Sequence, residues 1–407
     1  MILAQKMEDA PISLLTAFDD LPDPRRRECP HRLDELLLAA ICGVISGAES
    51  WTSVVQWSQM KLDWLRHYLP YAHGIASHDT FGRVFSLLDA SRFEHCFMRW
   101  IGGLCPSLEG QHVAIDGKCL RGSHDGARSP IHLVSAWSST VALTLGQVRT
   151  ADKSNEITAI PELLQALDIR GSTITIDAMG CQHDIAEQIV RRGADYVLNV
   201  KGNQPNLAEA IQTWFDAADA GTLERPFWQH SQTDKNHGRI ETRRCVATND
   251  VAWLQQQEQH WPGLQSLVMV ESSREVIGRH GTSSVERRYY VSSLPAKPAA
   301  LGKIVRAHWG IENSMHWVLD VAFGEDECRI RAGNAAHNLS ILRRIALNLL
   351  KNEKTCKLGV AARASKQAGM CDISQSYLGS LPEASCDCPE AKAKNCNLRF
   401  HPFHAIV

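Results

Sequence analysis

Three acidic residues in the chain stand where carboxylates are rare: two where apolar strands end and one beside the buried stripe of a helix. "HVAIDG" (112–117) is an apolar strand that closes on Asp116, and "STITIDAMG" (172–180) repeats the pattern with Asp177. Alternation along the first strand sets Val113 and Ile115 on one face and Ala114 and Asp116 on the other, so this carboxylate faces out of the pleat. Asp177 lies at the carboxyl end of its strand and before a helix, where open α/β sheets hold their ligands. Further on, "IVRAHWGIENSMHWVLD" (304–320) reads as a helix with Ile304, Ile311, Met315 and Val318 as its buried stripe and Glu312 one position off it. Each carboxylate alone reads as turn or helix-surface chemistry. Together they would repel unless divalent cations lay between them, and an all-oxygen donor set suits Mg²⁺, with Mn²⁺ as substitute. Two such ions about 4 Å apart assist in-line phosphoryl displacement by water or a 3′-hydroxyl.

The elements that must position these residues change texture along the chain. Residues 1–110 carry helical periodicity throughout, including the apolar run "LLLAAICGVISGA" (36–48), with Ser77 or Asp79 placed to cap a helix bearing Phe81, Val84, Phe85 and Leu88. From 111 to 202 the order is three strands, helix, strand, helix, strand, which suits a mixed sheet. Residues 203–300 are strand-rich and read as an insertion; 301–352 return to helix, and 353–407 form a tail.

Composition sets the outer bounds. The 407 residues carry a net charge of −2, which excludes a wholesale basic protein but not a local basic surface. Residues 1–110 hold 10 Lys+Arg against 14 Asp+Glu, and residues 225–350 hold 16 against 12, so polyanion contact belongs mostly to the second half. The run at 36–48 is too short to span a bilayer. "MILAQKMEDAP" lacks the apolar core of a secretory signal. Thirteen scattered cysteines suit reduced thiols, so a cytoplasmic protein is expected.

Several cations could grip phosphate. Lys201 follows the apolar "YVLNV" at a sheet edge. In "HGRIETRR" (237–244), His237, Arg239, Glu241 and Arg243 alternate along one strand face with Arg244 opposite. Guanidinium forks match phosphate oxygens, and a self-paired charged strand is the competing reading. His308, Glu312 and His316 fall at four-residue intervals without the spacing of a zinc hydrolase. The tail residues Cys386, Cys388, Cys396, His401 and His404 are soft metal ligands by type, but their spacing is irregular.

"AIDGKCLRGS", "KSNEITAIPELL", "TIDAMGCQHDIAEQIV", "DYVLNVKGNQP", "HGRIETRR" and "HWGIENSMHWVLDVAFGED" resemble, in combination, the transposases of the H-repeat (Rhs-associated) insertion elements, within the DDE superfamily. The resemblance spans about residues 10–380 and implies an RNase H-like mixed sheet with a β-rich insertion, preceded by an all-helical domain. It implies a DDE triad of Asp116, Asp177 and Glu312 as catalytic and metal-binding residues, with Mg²⁺ or Mn²⁺ as cofactor. The implied activity is DNA strand cleavage and strand transfer. The implied partners are double-stranded DNA, as element terminal inverted repeats and target, and a second copy of the chain in a homodimer; no membrane is implied. Related cut-and-paste transposases carry a tyrosine and an arginine before the glutamate and a lysine after it. Here Val305, His308 and Leu319 stand in those places, and His308 and His316 are the candidates for part of that DNA-binding role. A DNA-binding derivative without activity and a structure-specific nuclease on the same fold are the alternative readings.

Overall fold

A computed structural model describes residues 13–126, 129–150, 156–236, 238–257, 261–277, 283–353 and 359–364. The described residues form two units that interleave in sequence: those within 13–104, 120–131 and 316–364 make one, and those within 105–119 and 132–315 the other.

The first unit is helical. Its amino-terminal part comprises α1 (Leu14–Ala17), α2 (Leu33–Ile45), α3 (Trp51–Met60), α4 (Leu62–Leu65), α5 (His78–Leu87) and α6 (Ala90–Leu104). Ser13, Ser50 and Ser77 cap α1, α3 and α5 by accepting from backbone N–H groups at 3.1, 3.1 and 3.3 Å; of the two cap candidates before Phe81, Ser77 is the one used. The apolar run at 36–48 forms most of α2, buried as expected. A Cβ on Gly43 would stand 3.3 Å from a Val54 methyl, so a glycine lets α2 and α3 pack closely. Trp51 stacks on Phe85 with ring centroids 4.6 Å apart.

The second unit is built on β1 (His112–Leu120), β2 (Ile131–Ser138), β3 (Leu143–Arg149), α7 (Glu156–Ala166), β4 (Thr173–Ile176), α8 (His183–Arg191), β5 (Asp195–Val200) and α9 (Pro205–Asp219). It continues through β6 (Trp228–Asn236), β7 (Arg239–Thr248), α10 (Ala252–Gln257), β8 (Ser266–Val276), β9 (Ser283–Ser292) and α11 (Pro298–Ile311). All nine strands share one sheet in the order β3-β2-β1-β4-β5-β9-β8-β7-β6. β2 and β3 are antiparallel, while β1, β4 and β5 are parallel, the latter two entered through helices. This is the mixed α/β, RNase H-like sheet expected from the sequence. The β-rich segment is not a separate body, because β9 pairs antiparallel with β5 and the insertion extends the same sheet. Val197, Cys245, Val268, Tyr290, Leu301 and Val305 form one core, so α11 packs across the junction. At the far edge β6 is polar and charged along its length, which suits an unpaired edge.

Residues 301–352 are mainly helical, as expected. They fall in both units, with the boundary at Met315/His316. After α11 come a π-turn (Glu312–His316), α12 (Trp317–Phe323) and α13 (Ala335–Asn352). α13 packs against α2, α5 and α6, and Asn338 donates to the carbonyls of Phe85 and Leu88 at 2.8 and 3.0 Å. Its burial from Ala335 to Leu350 follows from this place within the helical unit.

Candidate active site

Parallel pairing of β1 with β4 matches Ile115 to Ile176. The next residues are Asp116 and Asp177 on these adjacent strands: Asp177 directly follows β4, whereas β1 does not close on Asp116 as expected but runs on to Leu120, which places Asp116 at its middle. Asp177 also caps a 3-10 turn, accepting from Met179 N–H at 3.1 Å and Gly180 N–H at 3.4 Å. The turn is tight: a Cβ on Gly180 would lie 2.2 Å from a methyl of Ile176. Burial and the Asp116 charge raise the Asp177 carboxyl above its ordinary range, against the lowering effect of the two N–H groups.

A fourth carboxylate joins them. Glu156, the first residue of α7, lies against the backbone where β1 passes Asp116, and a Cβ on Gly117 would meet its Oε1 at 2.0 Å. Gly117 thus makes room for it. Burial first, then the charges of Asp177 and Asp116, push Glu156 up to about 7. Glu156 belongs to "KSNEITAIPELL" and reads in sequence as an ordinary first-turn acid; its nearness to Gly117 is a tertiary fact with no local signal.

Glu312 is exposed at the end of α11 and opens the π-turn Glu312–His316. The expected uninterrupted helix is therefore broken where it carries its carboxylate, a common location for π-bulges. One consequence concerns the histidines. His308 and His316 do not lie one regular turn either side of Glu312, and His316 is buried in the helical unit.

A cavity of about 470 Å³ is lined by Asp177, Lys201, Arg288, Tyr290, His308 and Glu312, among others. Asp116 is not among its lining residues but acts electrostatically on Asp177, Glu156 and His308. Lys201 is exposed at the end of β5. Arg288 rests over the Trp309 ring at 5.0 Å and pairs with Glu286 at 2.9 Å. Sequence reasoning missed Arg288; the consecutive charges Glu286, Arg287 and Arg288 in the strand-like "VERRYYV" (285–291) were its available signal.

The basic strand stands differently. Arg243 pairs with Asp234 at 2.8 Å and Glu241 at 2.5 Å, and Arg244 with Asp219 at 2.6 Å. Neither lines the cavity, so for these two the self-paired reading describes the structure. Arg239 is exposed. His237 and the tail cysteines and histidines lie outside the described residues.

All four carboxylates offer oxygen donors, and Glu156 and Asp177 are raised by burial first and then by neighbouring carboxylate charge, a like-charge penalty that divalent cations relieve. Among the described residues, the group of metal-ligating atoms lying within 4.8 Å of one another is His183, Asp184 and Glu187 at the start of α8, a surface cluster away from these carboxylates in sequence.

Residues 107–349 match the family described as "Transposase DDE domain", and residues 15–101 its associated amino-terminal family. The chain belongs to the DDE transposase family. It is 40% identical over 372 residues to a protein of Escherichia coli K12 named "H repeat-associated putative transposase YhhI", covering 90% of this chain and 97% of that one. A protein encoded in the dhlA 3′ region of Xanthobacter autotrophicus is 46% identical over 290 residues, 69% of this chain and 94% of that one. Among solved structures, a piggyBac transposase synaptic complex with hairpin DNA matches at 12% identity and a TM-score of 0.40, over 88% of this chain and 76% of that one. Among the described residues no helix is long and apolar enough to cross a membrane.

Proposed function

We propose that this insertion-element transposase cleaves DNA strands at element ends and joins the freed 3′-hydroxyl to target DNA, using Asp116, Asp177 and Glu312. The observation that carries the reading is Asp116 and Asp177 on adjacent parallel strands, each one position beyond the matched Ile115–Ile176 pair, with Asp177 and Glu312 lining one cavity. These three carboxylates would hold Mg²⁺ or Mn²⁺, which when bound supplies Lewis-acid stabilisation of the attacking and leaving oxygens. The chain itself positions the phosphate. β1 and β4 hold two carboxylates on rigid backbone, and the Asp177 turn fixes one rotamer through two N–H bonds. Lys201 and Arg288, in the same cavity, would neutralise non-bridging phosphate oxygens and set the strand's direction. Terminal inverted repeats, a second copy in the DNA complex and action at the nucleoid belong to the same proposal.

The test is cleavage of a duplex carrying the element end, with Mg²⁺, by wild type and by Asp116→Asn, Asp177→Asn and Glu312→Gln. Each variant keeps shape and removes a charge, so each should bind DNA as wild type does and lose about 10⁴-fold or more in rate, without additivity between them. Retained cleavage in any variant would remove that residue from the site. Cleavage without strand transfer by the wild type would favour the nuclease alternative, and DNA binding with neither would favour an inactive derivative. Metal-stripped protein should recover activity with Mg²⁺ or Mn²⁺ and poorly with Zn²⁺, which prefers nitrogen and sulfur ligands.

A further inference from the structure

One cavity residue sits at the end of a closed chain of hydrogen bonds. His308 Nδ1 and His112 Nε2 both bond the hydroxyl of Thr175, each at 2.8 Å. His112 Nδ1 bonds the Ser139 hydroxyl at 3.2 Å, and Ser139 donates to the Ala307 carbonyl at 3.1 Å. The chain thus leaves α11 at His308, crosses β4 and β1, and returns to α11 one residue away. Burial drives both imidazoles toward neutrality: His112 is lowered to about 4, and His308 is lowered despite the opposing Asp116 charge.

A carbonyl only accepts, and this fixes every proton in the chain. The Ser139 proton is committed to Ala307, so Ser139 accepts from His112, and His112 carries its proton on Nδ1. Its Nε2 is then bare and takes the Thr175 hydroxyl proton. Thr175 oxygen in turn accepts from Nδ1–H of His308. A neutral His308 protonated on Nδ1 has a bare Nε2, the nitrogen left for the cavity that His308 lines. Reversing the order would forfeit the Ser139 to Ala307 bond.

A bare ring nitrogen cannot donate to a phosphate oxygen. The phosphate-binding role expected of His308 therefore does not suit this tautomer, and its partner in the cavity must be a donor, for which the proposed reaction supplies an attacking O–H. We infer that His308 Nε2 is a hydrogen-bond acceptor that orients the attacking hydroxyl, first water and then the DNA 3′-hydroxyl, with Thr175 as the positioning residue that sets its tautomer. The identity of that hydroxyl rests on the proposed phosphoryl transfer; the tautomer does not.

The experiment uses the full chain labelled with ¹⁵N-histidine, with long-range proton–nitrogen correlation reading which ring nitrogens are protonated. The His308 signal is assigned by its loss in His308→Gln. At neutral pH the wild type should show His308 as the Nδ1–H form; Thr175→Val should convert it to a mixture with the Nε2–H form, and Thr175→Ser should restore it. In the cleavage assay Thr175→Val should lose about tenfold in kcat, the worth of one hydrogen bond, with KM for the DNA end within about twofold. Thr175→Ser should recover most of that loss. An Nε2–H or doubly protonated His308 in the wild type, or an unchanged kcat in a folded Thr175→Val protein, would overturn the inference. Should Asp177→Asn still cleave while His308 shows the Nδ1–H form, the triad fails and the tautomer assignment stands.

Discussion

At the level of single residues, the acidic site carries a cost that can be measured without any DNA. Glu156 is pushed up to about 7 by burial and by Asp177 and Asp116, whereas an unfolded glutamate titrates near its ordinary value of about 4.3. With the folded pKa above the unfolded one, the native state binds the extra proton between those values. Stability contributed by the protonated form is complete below about 4.3 and is lost as pH rises through about 7. Glu156→Gln, which stays neutral, should therefore raise the melting temperature of the metal-free protein at pH 8 and leave it nearly unchanged at pH 4. Mg²⁺ should narrow the difference at pH 8, because the cation relieves the same repulsion. A melting-temperature difference independent of pH would show that Glu156 does not titrate with the site. Asp116 and Asp177 were legible in the sequence because each breaks an apolar run, although only Asp177 follows the end of its strand and β1 continues past Asp116 to Leu120. Glu156 was not, since its burial depends on Gly117, thirty-nine residues earlier, leaving just enough space on another strand.

Elements show where local pattern stops being informative. The three first strands, the helical crossovers and α11 follow from periodicity, which is a property of neighbouring residues. The joining of β9 to β5 does not, because pairing between distant segments is chosen by the packed sheet. The π-turn at Glu312–His316 is equally hidden, since one added residue in a turn leaves the apolar residues Ile311 and Met315 buried. Arg243 and Arg244 illustrate a third limit: the sequence shows the cations of β7, but not that Asp234 on β6 and Asp219 on α9 lie opposite them. Arg287 extends this network to Asp216, Asp219 and Glu271 at 2.9, 2.9 and 2.7 Å. These pairs tie α9 to the sheet, so Arg244→Ala should lower the melting temperature, more at low salt than at high salt. Binding to duplex DNA separates the two kinds of cation. Lys201→Ala should reduce the salt slope of log K by about 0.9, while Arg243→Ala and Arg244→Ala should leave it unchanged. A reduced slope in the arginine variants would return β7 to the DNA surface.

For the whole molecule, the order of the chain does not match the order of its units. The backbone passes between them at residues 104/105, 119/120, 131/132 and 315/316, so the helical unit is closed only when its last segment has been made. That segment is α13, whose buried face meets α2, α5 and α6. It also carries Arg344, which bonds Glu325 at 2.9 Å with both side chains fully buried. Removing one member of such a pair leaves a charge without its partner in a dry interior. Glu325→Gln should thus destabilise the helical unit by about 3–5 kcal/mol, read by chemical denaturation. A chain ended after Ile330 is the more severe case. It retains Asp116, Asp177, Glu312 and every strand of the sheet, and it loses the helix against which α2, α5 and α6 bury their apolar faces. Those faces would then be wet, and a cooperative transition of the helical unit would give way to a compact state without fixed packing. The expected signature is strong ANS fluorescence and rapid proteolysis within residues 13–104, with the sheet unit's segments 132–150 and 156–200 cut more slowly. Equal resistance of residues 13–104 in the truncated and full-length chains would show that the amino-terminal helices hold their own core, and that α13 is an addition to the unit and not its closing element.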